Sequence, residues 1–150
     1  KRAERTTEGG LDVLADQDRL RDFIAPLVEV GCRVSLFVAA EEQQLQSSAE
    51  VGAAVVELHT GAYCDLHAAG NHLGADEELA RITRSARFAA ELGLEVHAGH
   101  GLSYETVSPI AALPEVAELN IGHFLIGESV FLGLGPAISE MRRLMQNARR

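Results

Sequence analysis

Two glycine–histidine elements stand where predicted strands end. The elements are Gly99-His100-Gly101 and Gly122-His123, and each follows a short run rich in apolar residues. Glycine lets the backbone approach a ligand closely, and the free N–H groups at a following helix start favour an anion. Histidine exchanges protons near neutral pH because its unperturbed pKa is about 6.5. One such element is a weak signal, but two of them predict an anion site beside a group that moves protons.

A carboxylate on a neighbouring strand strengthens this prediction. Glu57 lies within the predicted strand 54–59, on the polar side of an otherwise apolar run. It is either a functional carboxylate or a structural one that is satisfied by a neighbouring Arg or His. We expect His59 and His97 to support it by hydrogen bonding to Glu57 or its neighbours.

A metal site is the alternative reading of the same side chains. His97, His100 and His123 with Glu57 would form a zinc or iron set. The spacing of His97 and His100 spans a strand end and a glycine turn, so the two rings need not converge. The sequence therefore favours a site without a metal.

The elements that must position these residues alternate between extended and helical patterns. Strands are predicted at 33–38, 54–59, 94–98 and 116–121, and helices at 16–30, 41–51, 76–92 and 124–132, with a last helix beyond Pro136. The segment 63–75 is predicted to be a loop, and Asp76 is predicted to cap the helix that follows it. This alternation is typical of an α/β fold with a parallel sheet.

Side-chain parity separates two sheet architectures. Alternate strand residues share a face, so one face is apolar on every strand, whereas the other carries Glu57, His97 and Asn120. An open sheet with helices on both sides would bury these polar groups at a cost. A barrel would turn them inward, toward a mouth that opens to solvent. The prediction is a single domain, 1–150, forming part of a (β/α)8 TIM barrel, whose complete form needs about 250 residues.

Composition limits the function classes. The chain has 150 residues, 47% of them hydrophobic and 23% charged, with a formal net charge of −9. Dispersed basic residues disfavour nucleic acid as a partner, and apolar runs are too short for a membrane span. With only two cysteines, Cys32 and Cys64, a disulfide scaffold is disfavoured, and a cytoplasmic location is expected.

Five motifs then carry a resemblance to a known family. They are Thr6-Thr7-Glu8-Gly9-Gly10-Leu11-Asp12-Val13, Val34-Ser35-Leu36-Phe37, Glu57-Leu58-His59-Thr60-Gly61-Ala62-Tyr63, Ala98-Gly99-His100-Gly101-Leu102 and Glu118-Leu119-Asn120-Ile121-Gly122-His123. In this order they resemble the C-terminal part of the pyridoxine 5'-phosphate synthase family, the ring-closing enzymes of vitamin B6 synthesis. The first strands of that family have no counterpart here, so the fragment alone is expected to be inactive.

The resemblance implies a reaction and a role for individual residues. The family condenses 1-deoxy-D-xylulose 5-phosphate with 3-amino-2-oxopropyl phosphate, without a metal or an organic cofactor. It implies that His100 is the proton donor and that Glu57 stabilises charged intermediates or transition states. The positions that match substrate-binding residues of the family are Gly101, Gly122 and His123 for the aminoketone phosphate and Thr6 for the deoxyxylulose phosphate.

The resemblance also implies assembly. Family members form homo-oligomers built on dimers, often octamers, and their partners are small phosphorylated substrates. A non-catalytic phosphate-binding α/β domain, folded as an open flavodoxin-like sheet, is one alternative, and a self-pairing half-barrel with a purely structural role is another. The pairing of the strand 116–121 distinguishes these possibilities, since it either joins a closed ring or ends as a free edge.

Overall fold

The sheet that carries the candidate chemistry has four parallel strands. The structure is a computed structural model that describes residues 9–150. The strands are β1 (Ser35–Val38), β2 (Val55–His59), β3 (Glu95–Gly99) and β4 (Val116–Asn120). They pair in the order β1-β2-β3-β4, and each pair is parallel. The predicted alternation of parallel strands and helices is confirmed, and the strand order contains no reversal of the kind that marks a doubly wound sheet. Within residues 9–150, however, β4 ends as a free edge and the four strands do not close into a ring, so the predicted barrel is not confirmed.

Helices connect and flank the strands. The α-helices of the described residues are α1 (Gln17–Glu29), α2 (Glu42–Glu50), α3 (Gly61–Ala68), α4 (His72–Glu91), α5 (Val107–Ala111), α6 (His123–Leu132) and α7 (Leu134–Ala148), and a short 3₁₀ helix, Leu14–Asp16, precedes α1. Right-handed crossovers between successive parallel strands place their helices on one face of a sheet. None of the helices in residues 9–150 is both long and apolar enough to cross a membrane.

The prediction of a loop over 63–75 is wrong. Helix α3 covers the first part of this segment, and α4 begins at His72, before the predicted cap at Asp76. Asn71 caps α4 instead, because its Oδ1 accepts a hydrogen bond of 3.1 Å from the Gly74 N–H. The buried residues of α3 cluster near its start rather than recurring along one stripe, so helical periodicity gave no signal.

The predicted division of the sheet into an apolar and a polar face is confirmed. On the apolar face the strand residues are buried against the helices: Leu36, Val38, Val56, Leu58, Val96 and Ala98 from the sheet, and Leu45, Ile82, Ala86 and Ala89 from α2 and α4. The opposite face holds a row of residues in register, in which Phe37 pairs with Glu57, Glu57 with His97, and His97 with Glu118. This row runs across the middle of the sheet, and two of its members, Phe37 and Glu57, line the cavity described below.

A β-bulge sets the position of β4 in this row. Val96 pairs with Val116 and His97 pairs with Glu118, so Ala117 is skipped. The bulge brings Asn120, the last residue of β4, level with Gly99, the last residue of β3. Bulges near sheet ends often redirect side chains toward a site, and here the redirected side chain is an amide.

Candidate active site

A cavity of about 630 Å³ opens at the carboxyl ends of β3 and β4. Its lining includes every predicted site residue that the structure describes, namely Glu57, His100, Gly101, Gly122 and His123. Phe37, Leu102, Asn120, Ile121 and Phe124 complete the lining. Thr6, the remaining predicted residue, lies outside the described residues.

Glu57 is held by an amide. The Nδ2 of Asn120 donates a hydrogen bond of 2.8 Å to Oε2 of Glu57. Burial raises the pKa of the half-buried Glu57 carboxyl, and the hydrogen bond from Asn120 opposes this rise. A carboxylate that is partly removed from water interacts more strongly with a nearby cation than an exposed one does. Glu57 is therefore suited to stabilise positive charge that develops in the cavity.

His100 has an unusual backbone conformation. Its φ angle is 76°, and no other non-glycine residue in the described part of the chain has a positive φ. Gly101 follows with a φ of 85°. The left-handed region is disfavoured for residues with a Cβ, and such strain is found most often at functional sites. The turn directs the His100 ring into the cavity that Glu57 also lines.

Aromatic rings pack around the His100 imidazole. The His59 ring stacks on it with a centroid distance of 4.8 Å and an interplanar angle of 25°. The Phe37 ring lies 5.3 Å from His59 and 6.0 Å from His100. The Nδ1 of His59 accepts a hydrogen bond of 3.2 Å from the Gly61 N–H. His59 thus supports His100 through ring packing.

Gly122 and His123 form the start of α6, as the sequence predicts. Gly122 is the N-cap residue and supplies no side chain to the N–H groups of the first turn. The first N–H groups of a helix have no partner within it, and they carry partial positive charge. Because both residues line the cavity, this helix start is placed to receive an anionic group.

The four side chains of the metal alternative do not form one ligand set within the described residues. The Nε2 of His97 lies 2.7 Å from Oε1 of Glu95, at the amino end of β3. Across residues 9–150, no group of three or more His, Cys, Asp or Glu side chains is close enough to hold a metal ion. His97 therefore belongs to a polar cluster at the other end of the strand from His100.

Sequence reasoning did not assign a role to Asn120 or Phe37. Asn120 orients the Glu57 carboxylate, and Phe37 packs on the two imidazoles. Both residues lie on the polar face of their strands, and this position is the feature of the sequence that could have identified them. Their partners follow from the strand register, which a sequence pattern alone does not determine.

Cys64 also differs from its predicted setting. It lies in α3 rather than in a loop, and it is buried. Its Sγ lies 3.7 Å from Oγ1 of Thr106, and burial raises the pKa of its thiol. A thiol with a raised pKa is a poor nucleophile at neutral pH, so Cys64 is poorly suited to nucleophilic chemistry.

Comparison with known proteins places these residues in a family. A sequence model of the family described as "Pyridoxal phosphate biosynthesis protein PdxJ" matches residues 1–147. Proteins named pyridoxine 5'-phosphate synthase from Roseobacter denitrificans, Ruegeria pomeroyi and Jannaschia sp. are 66%, 63% and 62% identical to the chain over 149 residues. The match covers 99% of this chain and 60% of each of these relatives. The chain belongs to the PdxJ family of pyridoxal phosphate biosynthesis proteins.

Proposed function

We propose that this chain is the C-terminal part of a pyridoxine 5'-phosphate synthase. The reaction joins 1-deoxy-D-xylulose 5-phosphate to 3-amino-2-oxopropyl phosphate and yields pyridoxine 5'-phosphate, inorganic phosphate and water, which makes the enzyme a ring-closing transferase. The observation that carries the proposal is the cavity shared by Glu57, His100 and the glycines at two strand ends. The names of the relatives support the same activity.

The proposed complete fold is a (β/α)8 barrel in which β1 to β4 are the last four strands. Sequential parallel order supports it, because each strand of such a barrel pairs with the next one along the chain. The polar face would then line the barrel interior, and the cavity would lie at the carboxyl-end mouth where barrel enzymes hold their substrates. Strands β1 and β4, at the two edges of the described sheet, would pair with the missing strands. The chain on its own would then be inactive.

In ring formation, His100 would donate protons and Glu57 would stabilise positive charge. Addition of an amine to a ketone, followed by loss of water, requires a proton on each departing oxygen, and we assign this donation to His100. The same steps pass through nitrogen-centred positive charge, which the Glu57 carboxylate would stabilise from a fixed position. The Asn120 hydrogen bond keeps that carboxylate oriented before the substrate arrives.

The phosphate groups would hold the two substrates in register. Gly101, Gly122 and His123 are assigned to the aminoketone phosphate, and the N–H groups at the start of α6 support this assignment. Thr6 is assigned to the deoxyxylulose phosphate. Two anchored phosphates would keep the reacting carbonyl and amine close through successive steps, which lowers the entropic part of the barrier. The reaction as proposed uses no metal and no organic cofactor.

The proposed assembly is a homo-oligomer built on dimers, up to an octamer, in the cytoplasm. Large apolar side chains on α6 support coverage of this helix by other protein surface, because Val130 is 78% exposed and Phe131 is 84% exposed. The unpaired thiols of Cys32 and Cys64 agree with a reducing compartment.

A chimera tests the proposal. Residues 1–150 replace the matching 149 residues of the Roseobacter denitrificans relative, which supplies the remaining part of the barrel. With both phosphorylated substrates we expect pyridoxine 5'-phosphate, detected by its ultraviolet absorbance, from the chimera and none from the chain alone. The variant His100→Ala in the chimera should lower kcat by about 10²- to 10⁴-fold without loss of folding.

Other outcomes would contradict the proposal in different ways. Wild-type turnover in the His100→Ala chimera would remove His100 from the mechanism. A folded chimera that binds inorganic phosphate but forms no ring would support the non-catalytic phosphate-binding domain instead. Product formation by the isolated 150-residue chain would overturn the incomplete-barrel part of the proposal.

A further inference from the structure

Thr60 stands between β2 and α3, and its side chain does not serve the helix that it precedes. A threonine at the N-cap position usually accepts a hydrogen bond from an N–H of the first helical turn. Thr60 is the N-cap residue of α3, yet its side chain makes no capping hydrogen bond. The helix therefore lacks the stabilisation that this residue type normally provides, and the hydroxyl is used elsewhere.

The hydroxyl is directed at the turn that holds His100. Oγ1 of Thr60 lies 2.7 Å from the carbonyl oxygen of Gly99 and 2.6 Å from that of His100. The Thr60 N–H also donates to the Gly99 oxygen at 2.9 Å. Thr60 is completely buried, so water does not compete for these bonds. The two carbonyls belong to the two peptide groups on either side of the His100 Cα.

These two peptide groups determine the direction of the His100 side chain. With a φ of 76°, His100 lies in a region that a residue with a Cβ occupies only when its surroundings hold it there. In a trans peptide the N–H points opposite to the C=O. Contacts that hold both carbonyls toward Thr60 therefore turn the N–H groups of His100 and Gly101 to the other side.

We propose that Thr60 is a positioning residue for His100. The Thr60 N–H donates to the Gly99 oxygen, which leaves the single hydroxyl proton to donate to the His100 oxygen. Together these two hydrogen bonds fix the peptide groups before and after His100, which keeps the imidazole in the cavity and sets the direction of the Gly101 N–H. The inference rests on the proposed function, since positioning matters most for a group that transfers protons. Without a capping hydrogen bond from Thr60, helix α3 loses some stability. Such a local loss of stability is expected at functional sites, where a side chain serves the site instead of the helix.

Two variants of the chimera separate the hydroxyl from the shape of the side chain. Thr60→Val keeps the branched shape but cannot donate, and we expect kcat to fall by about 100-fold, since a displacement of about 1 Å costs that much. The KM for 1-deoxy-D-xylulose 5-phosphate should stay within about 3-fold, because the loss concerns the chemical steps. Thr60→Ser keeps the hydroxyl, and kcat should recover to within about 5-fold of the parent.

Ser85 provides the matched control for loss of a buried hydroxyl. Its Oγ donates a hydrogen bond of 2.8 Å to the carbonyl oxygen of Ala40, and it is 3% exposed. Ser85 belongs to α4 and does not line the cavity. Ser85→Ala should lower the Tm as Thr60→Val does, but its kcat should equal that of the parent. Equal losses of kcat in both variants would show that Thr60 acts through stability alone and would overturn the proposal.

Nuclear magnetic resonance of the histidine rings tests the positioning role of Thr60 separately from the proposed synthase activity, because it does not depend on turnover. In the chimera with isotopically labelled histidine, the ring resonances of His100 are identified because they are absent from the spectrum of the His100→Gln variant. We expect these resonances to move in Thr60→Val and to stay in place in Thr60→Ser and Ser85→Ala. If the parent chimera forms no product, the proposed function fails, and the resonances still test Thr60. Unmoved resonances or an unchanged kcat in Thr60→Val would overturn the positioning role.

Discussion

The carboxylate of Glu57 occupies the space that a side chain at Gly99 would need. A Cβ placed on Gly99 would lie 2.4 Å from Oε1 of Glu57 and 2.7 Å from the backbone oxygen of Asn120. Contacts this short do not occur, and one of the two neighbours is rigid main chain. The absence of a side chain at the end of β3 is therefore what allows the carboxylate to lie against the strand and reach Asn120.

Replacement of Gly99 should disturb the site more than the fold. In Gly99→Ala the new methyl group must displace the Glu57 carboxylate and shift the end of β4, at a cost of about 1–3 kcal/mol in the free energy of unfolding. Because the carboxylate moves, we expect kcat of the chimera to fall by about 100-fold. Steady-state kinetics and urea unfolding measure the two effects.

Gly127 supplies the control for this substitution. It lies in α6, and a Cβ there would meet no atom within 4 Å. Gly127→Ala should leave kcat at the value of the parent, and its free energy of unfolding should stay within about 1 kcal/mol of that of the parent. Equal behaviour of the two alanine variants would contradict the packing of Glu57 against Gly99.

The raised pKa of Glu57 predicts a pH dependence of stability. Burial is the main cause of the rise, so the folded protein binds the proton more tightly than the unfolded chain does. This contribution to stability is present below the ordinary pKa and is lost as the pH rises through the folded-state pKa. Glu57→Gln carries no charge at any pH, so the variant should have the higher Tm at pH 7 to 8, by up to about 4 °C.

Thermal unfolding followed by circular dichroism, at a series of pH values, checks this expectation. The Tm difference between Glu57→Gln and the parent chimera should shrink toward zero near about pH 3.5, where the parent carboxyl is protonated in both states. A variant that is less stable than its parent at pH 8 would show that the carboxylate stabilises the fold and is not strained by burial.

The Asn120 amide should shift the acidic limb of the pH–rate profile. Its hydrogen bond lowers the pKa of Glu57 and so favours the ionised form. In Asn120→Ala the pKa rises further, and the acidic limb of kcat/KM should move to higher pH, with about a 10-fold loss near neutral pH, since a hydrogen bond to a charged group contributes about 1.5–3 kcal/mol. Asn71→Ala is the control, because the Asn71 amide caps α4. The pH–rate profile of this variant should match that of the parent. An unshifted limb in Asn120→Ala would mean that ionised Glu57 is not required.

Local patterns were sufficient to predict the elements and faces of the sheet. Alternation placed Glu57 on the polar face, and glycines marked the strand ends that hold His100 and His123. These features depend on residues adjacent in the chain, where side-chain period and turn chemistry act directly. Helix α3 was missed because its buried residues form no stripe.

The partners of each site residue could not be predicted in the same way. The bond between Asn120 and Glu57 joins residues 63 positions apart, and it depends on a bulge that skips Ala117. The stacking of His59 on His100 likewise depends on the left-handed turn at His100. Register and backbone strain arise from tertiary packing, so no local period encodes them.

A separate polar cluster at the amino end of the sheet should control stability in acid without affecting catalysis. The Arg33 guanidinium pairs with Glu95, whose other oxygen lies 2.7 Å from Nε2 of His97. The hydrogen bond from Arg33, with a smaller effect of His97, lowers the pKa of Glu95 to about 2. A lowered pKa stabilises the fold above the ordinary pKa, and this contribution is lost as the pH falls toward 2. Glu95→Gln should therefore have a lower Tm than the parent at pH 7, and the difference should close as the pH approaches about 2.

Arg33→Gln should reproduce this pH dependence, because it removes the other half of the pair. The double variant should lose less than the sum of the two single losses, since both remove one interaction. Glu95 begins β3, whereas the cavity lies beyond Gly99 at the other end of that strand, so kcat at pH 7 should stay within about 2-fold of the parent. A Tm difference that persists unchanged at pH 2, or a large loss of kcat, would show that Glu95 contributes through contacts other than its ion pair.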